Sequence, residues 1–196
     1  ASHVSVEQRE WLRGLLGERE EIMTVALAAE RLTSVCGDEE ALDVLAARVL
    51  DGERKGDRGL GSSSALSVLA QSDCVRGVDL FLKCLHEGSD RVRSEALDAA
   101  GWALEPRIAE ALVLELDDRE PTGARSSGGA IRFCDMAAES LSEMISRAVV
   151  FRCDDAESLR DARIEDLKAW WTEHGGSVDW EGMRRKREEA IRQRDR

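Results

Sequence analysis

The chain has 196 residues, which suffices for one domain with a core or one short array of repeats, but not for two ordinary domains joined by a linker. Apolar residues make up 42% of it and exclude wholesale disorder, while 16 glycines, only 2 prolines and no tyrosine argue against a β-sandwich or barrel. A formal net charge of -12 predicts repulsion of phosphate backbones on average. We therefore expect an all-α protein.

Apolar residues recur at helical spacing along most of the chain and are interrupted by caps and turns. Ser5 and Gln8 fit a capping box at the start of a first helix, and Gly37 followed by Asp38 fits the end of one helix and the start of the next. Residues 51–63, rich in glycine and charge, predict a mobile surface loop. The predicted elements are an N-terminal capping helix over 5–16 and antiparallel helix pairs over about 18–51, 62–87, 89–118 and 129–147.

Residues 90–118 have the pattern of one complete helix-turn-helix unit, and the sequence on both sides echoes it. A shift of 31 residues places apolar residues on apolar residues, such as Ala65 on Ala96, Val78 on Ala109 and Phe81 on Leu112. A shift of 41 residues extends the match to the fourth pair. The residues by which this shift exceeds the first one fall within 117–130, which we predict to be a loop insertion. Self-similarity at a period of a few tens of residues is the signature of a solenoid.

The motifs at residues 92–97 (VRSEAL), 99–101 (AAG) and 134–141 (CDMAAESL) resemble HEAT-type repeats of the short bacterial branch. The resemblance covers about residues 20–147. It implies a right-handed α-solenoid of about four antiparallel helix pairs, in which small side chains let the helices of neighbouring repeats approach closely. Relatives with this repeat include bilin lyases and alkyl-base DNA glycosylases, so the resemblance leaves an enzymatic role open.

Beyond the fourth pair, helical spacing predicts a C-terminal capping helix over 161–175 that carries Trp170 and Trp171. We expect residues 1–183 to form a single repeat domain. Residues 184–196 contain seven basic and three acidic residues and predict a basic, helical tail. The first interpretation of this tail is a solvated final helix. The alternative is a segment that binds RNA or an anionic membrane surface. If the protein binds nucleic acid, we expect it to do so only through this tail.

Signatures of catalysis and of metal binding are not found in the sequence. His3, His86 and His174 lie far apart on different predicted elements, unlike the paired ligands of a zinc helix. No nucleotide-binding loop or nucleophile elbow occurs, and Cys134 is expected to be a buried, inert thiol. We therefore expect no enzyme, no cofactor and no metal site.

The number of cysteines and the hydropathy of the sequence indicate in which cellular compartment the protein is expected. Five cysteines, an odd number without a Cys-x-x-Cys motif, favour reduced thiols and a cytoplasmic protein. No stretch approaches the roughly 18 apolar residues of a membrane span, and the first four residues show no export signal.

The most direct functional interpretation is a non-catalytic module whose second helices line a concave face that binds a protein partner. An arginine followed by an acid three residues later occurs in both central repeats. The alternatives are an enzyme on the same scaffold, of the bilin-lyase or alkyl-base DNA glycosylase kind, and an acidic inhibitor or immunity-type protein of a basic target. The candidate partner-binding residues, predicted to be exposed on the second helices, are Arg76, Asp79, Lys83, Arg107, Glu110 and Glu115.

Overall fold

The computed structural model describes residues 5–17, 22–52 and 62–194. Within these ranges the protein consists mostly of α-helices, with one short 3-10 helix and one two-stranded antiparallel sheet. The predicted all-α class is confirmed at this level. No helix among the described residues has both the length and the apolar character needed to cross a membrane.

The chain divides into two compact units, Ala1–Ala100 and Gly101–Arg196, here called the N-terminal and the C-terminal unit. The helices of the N-terminal unit are α1 (Val6–Gly14), α2 (Ile22–Cys36), α3 (Glu40–Gly52), α4 (Ser62–Ala70), α5 (Val75–Glu87) and α6 (Asp90–Ala100). The C-terminal unit contains α7 (Pro106–Glu115), β1 (Pro121–Ser126), β2 (Gly129–Arg132), α8 (Phe133–Met144), α9 (Glu157–His174), a 3-10 turn (Gly175–Ser177) and α10 (Trp180–Arg194).

Local signals near the N-terminus place the first helices as predicted. The Ser5 hydroxyl accepts the backbone N–H of Gln8 at 3.2 Å, and the Gln8 side chain accepts the N–H of Ser5 at 2.9 Å, which completes the capping box. Gly37 ends α2 with φ +65°, a left-handed conformation that glycine adopts without strain. Most of the predicted mobile loop at 51–63 lies outside the described residues.

The N-terminal unit is built from two rows of helices. Helix α4 packs between α2 and α6 in the first row, and α3 packs against α5 in the second. The pairs α2–α3 and α4–α5 connect the rows. Fully buried side chains at helical spacing fill the space between them, among them Leu32, Leu45, Leu66, Phe81 and Leu97.

The C-terminal unit has a different construction. Helix α8 packs against both α7 and α9, and strand β2 also contacts α8. The predicted capping helix begins earlier than expected, at Glu157, and the predicted tail belongs to a helix that already begins at Trp180. The tail is therefore helical over its described residues, as expected.

The predicted loop insertion at 117–130 is wrong, because much of it forms the hairpin β1–β2. The fourth predicted pair correspondingly opens with a strand at Gly129, and its helix begins only at Phe133. The Ser126 hydroxyl donates to the carbonyl oxygen of Cys153 at 2.8 Å and fixes the hairpin turn to a later segment. A cluster of serine and glycine between short runs is a hairpin signal, but only these distant contacts decide that the hairpin forms.

Candidate functional site

The exposed face of α5 carries three of the predicted contact residues. Arg76, Asp79 and Lys83 are exposed, and Val75 beside them is 70% exposed. Arg76 connects α5 to α3, because its Nε donates to Oδ2 of Asp43 at 2.9 Å. The hydrogen bond and the charge of this carboxylate raise the pKa of Arg76 above its ordinary value. These residues define the α5 stripe.

A second exposed stripe runs along α7. Arg107 and Glu110 are exposed, and Leu114, which follows them on the same side of the helix, is 75% exposed. These three residues define the α7 stripe. Each stripe thus combines charged side chains with one large apolar side chain that is left in solvent.

Glu115 was predicted to be exposed, and this is wrong: it is only 8% exposed. It lies seven residues after Ile108 and three after Leu112, so it falls on the apolar face of α7. The shift of 31 residues indicates the burial of Glu115, because it places Glu115 on the buried Cys84. It also indicates the exposure of Leu114, because it places Leu114 on Lys83. Leu114 is therefore the exposed position that the sequence comparison missed.

Helix α10 is held against the turn that precedes α7. The Nε of Arg184 donates to the carbonyl oxygen of Leu104 at 2.8 Å, and its Nη2 donates to the Glu105 carboxylate at 3.0 Å. The same carboxylate group accepts the backbone N–H of Arg107 at 3.4 Å and caps α7. The basic tail and Arg107, which the sequence treats as separate features, meet at this corner of the C-terminal unit.

Two basic residues of α10, Arg184 and Arg187, donate hydrogen bonds to backbone carbonyl oxygens within the C-terminal unit. Arg187 donates to the carbonyl oxygen of Trp102, one helical turn after the contact of Arg184. Arg185 and Lys186 are exposed, and the acidic Glu189 is exposed with them. Part of the basic charge therefore anchors the turn before α7, and the solvent side of α10 carries both signs of charge.

The most deeply buried charges lie between β2, α8 and α9. Asp135 is fully buried and accepts from two guanidinium groups, Arg132 through Nη2 at 2.8 Å and Arg160 through Nη1. The hydrogen bonds that Arg132 donates to Asp135 raise the pKa of Arg132. Burial by itself would raise the pKa of Asp161, but the hydrogen bond from Arg132 and the charges of Arg132 and Arg119 more than offset it, so this pKa is lowered.

This buried ion cluster, Arg132, Asp135 and Arg160, positions the hairpin. The Nη2 of Arg160 donates to the carbonyl oxygen of Ala130 on β2 at 3.0 Å and so ties α9 to the hairpin. The cluster was not predicted, because Arg160 lies 25 residues from Asp135 and local sequence patterns do not show that the two meet. The only local signal was an acid three residues after Arg132, in the first turn of α8.

Cys84 and Cys134 are buried thiols. Burial raises the pKa of Cys84 to about 11 and also raises the pKa of the buried Cys134, so both thiols stay protonated at neutral pH. Cys134 is buried, as the sequence predicts. Among the described residues, no group of three or more histidine, cysteine, aspartate or glutamate side chains could hold a metal ion.

Comparison of the chain with protein-family models, with curated proteins and with solved structures finds no match. Among the described residues, the α5 stripe and the α7 stripe are two surfaces that combine exposed charges with an exposed apolar side chain.

Proposed function

We propose that the chain is a non-catalytic helical-repeat module of HEAT type that binds a protein partner, with the α5 stripe of the N-terminal unit and the α7 stripe of the C-terminal unit as two candidate contact surfaces. The exposure of Val75 and Leu114 next to charged residues carries the proposal. Protein interfaces combine an apolar centre with a polar rim. Removal of an apolar side chain from water by a partner lowers the free energy of the complex. Each stripe has this composition.

The two-row construction of the N-terminal unit supports the repeat proposal. Two successive helix pairs, α2–α3 and α4–α5, lie at the places of the first two predicted repeats. Their first helices contact each other, and so do their second helices, as stacking of repeats requires. Small buried side chains on α2 and α4, such as Ala28 and Ala65, are of the kind that allows helices to approach closely.

The charges of the stripes indicate what kind of partner fits. Arg76 and Lys83 alternate with Asp79 on α5, and Arg107 precedes Glu110 on α7. Mixed signs select a partner of complementary pattern and set its register. The net charge of -12 favours a partner that is basic overall, because it accelerates the approach of such a protein.

Quantitative affinity capture from the native host tests the proposal. Lys83→Glu changes the charge of the α5 stripe, and Leu114→Asp removes the apolar side chain of the α7 stripe. We expect each substitution to reduce recovery of the partner at least about tenfold, since charged and apolar contacts of an interface both contribute to affinity.

Arg163→Glu is the matched control for charge. Arg163 is exposed on α9, a helix that carries neither stripe, and pairs with Asp166 at 3.0 Å. Its reversal changes the net charge by the same amount as Lys83→Glu. This variant should retain the partner. Equal capture by all three variants and the wild type would remove the stripes from the binding site.

A further inference from the structure

Helix α2 presents a stripe of its own, on the first row of the N-terminal unit. Met23, Leu27, Glu30 and Ser34 follow one another at spacings of four, three and four residues and therefore lie on one side of the helix. Met23 is 54% and Leu27 62% exposed, whereas Leu32 on the other side is fully buried. The stripe begins with apolar side chains and ends with polar ones.

The polar end of this stripe opens into a cavity of about 590 Å³ formed by the adjoining ends of α2, α3, α4 and α5. Glu30 and Ser34 line it together with Glu39 and Asp73. The described residues that line the cavity include these three carboxylates and no basic side chain. Its volume lies within the range of ligand pockets, and its charge is negative.

The floor of the cavity is closely packed. The Cys74 sulfur accepts the backbone N–H of Gly77 at 3.4 Å and lies 3.1 Å from the Ser72 hydroxyl oxygen. A Cβ at Gly77 would approach the Cβ of Ser72 to 2.4 Å, so only glycine fits there. The cavity wall is therefore held in place by side-chain contacts at the start of α5.

The hydrogen bonds of Arg76 go to Asp43, which does not line the cavity. The hydrogen bond and the charge of Asp43 contribute most to the raised pKa of Arg76, and the charges of Glu39 and Glu40 contribute less. A cation that enters the cavity would meet the carboxylates of Glu30, Glu39 and Asp73. Such a pairing gains strength where water is partly removed.

We propose that the α2 groove, defined as Met23, Leu27 and the cavity bounded by Glu30, Glu39 and Asp73, docks a protein segment with two apolar side chains followed by an arginine or lysine. The apolar side chains cover Met23 and Leu27, and the cation enters the cavity. Leu27 and Ser34 are about 10 Å apart along the helix axis, a distance that a short peptide segment spans. This surface shares no residue with the α5 stripe of the proposed function and extends that function to a second contact.

The probe is a fluorescein-labelled helical peptide with two leucines four residues apart and an arginine one to two turns later. Its partner probe has citrulline, a neutral isostere, in place of the arginine. We expect fluorescence anisotropy to show that the arginine peptide binds at least about fivefold more tightly, because only it pairs with the carboxylates. The difference should shrink as salt is added.

Substitutions on the groove should then abolish the difference between the probes. Glu30→Gln with Asp73→Asn removes two carboxylates, and Ser34→Trp obstructs the cavity without a change of charge. The matched control is Glu10→Gln with Asp98→Asn, which removes two exposed acids elsewhere in the N-terminal unit. Thermal melts followed by circular dichroism verify that each variant is folded.

Several results would overturn the proposal: equal affinity for the two probes, unchanged affinity in Ser34→Trp, or an equal loss in the matched control. Displacement of the peptide by spermine with no effect of Leu27→Ser would likewise overturn it, since the cavity would then bind a small cation by itself. Lys83→Glu should leave peptide binding unchanged. A failure of the α5 stripe and a failure of the α2 groove are therefore measured separately.

Discussion

The N-terminal and C-terminal units are held together by different interactions. In the N-terminal unit, apolar side chains fill the space between two rows of helices, and the arginines that pair with Asp38 and Asp43, Arg13 and Arg76, are about half exposed. In the C-terminal unit, an ion cluster is buried and fixes a hairpin between helices. Burial of apolar area is tolerant of detail, whereas a buried charge must keep its partner. The comparison therefore predicts unequal responses to the loss of a charge.

The largest effect is expected from Asp135→Ala. The substitution leaves Arg132 and Arg160 buried without their shared carboxylate, and loss of one partner from a buried pair costs about 3–5 kcal/mol. Urea unfolding measures the free energy of unfolding. Asp43→Ala, which breaks the exposed pair with Arg76, should change it far less. Similar losses in the two variants would contradict the contrast between the units.

A smaller but clear effect is expected from Gly128→Ala at the hairpin turn. A Cβ at Gly128 would lie 2.0 Å from the carbonyl oxygen of Asp155, so the hairpin must move away from this segment. Overpacking of this kind typically costs about 1–3 kcal/mol. Gly176→Ala is the control, because a Cβ there meets open space. Thermal melting should separate the two variants, and equal stability would show that the hairpin contact contributes nothing.

The smallest effect is a dependence on pH. The hydrogen bond and charge of Lys168 lower the pKa of Asp117, and Arg132 lowers that of Asp161. A lowered carboxyl pKa adds stability above the ordinary value of 3.8 that is lost as pH falls through the folded-state value. Melting temperatures from pH 7 to 3 should fall at the acid end, and Lys168→Met should fall less steeply. Identical profiles would exclude this contribution.

Local signals in the sequence account for much of the helical structure. The capping box at Ser5 and the left-handed glycine at Gly37 are formed by neighbours in the chain, so the sequence alone places these helix ends. The shift of 31 residues correctly aligns the buried faces of α5 and α7, including Phe81 and Leu112. Helical periodicity depends on residues a few positions apart, so it can be recognised without knowledge of the tertiary arrangement.

The candidate site was predicted only in part. The exposed positions of the α5 stripe followed from periodicity, but Glu115 was assigned to the wrong side of α7, since polarity was taken as a sign of exposure. The α2 groove was missed for the opposite reason: Met23 and Leu27 are apolar and yet exposed. Which apolar residues stay uncovered depends on where neighbouring helices lie, and no window of sequence contains that information.

The sequence by itself determined the all-α class, the ends of the first helices and the apolar faces of α5 and α7, because these depend on residues a few positions apart. Only the tertiary structure decided that 121–132 forms a hairpin, that Arg160 is buried and that α10 anchors the turn before α7. Each of these depends on hydrogen bonds between groups some 25 to 80 residues apart. Such contacts satisfy polar groups that are buried on folding, and their partners are selected by three-dimensional proximity.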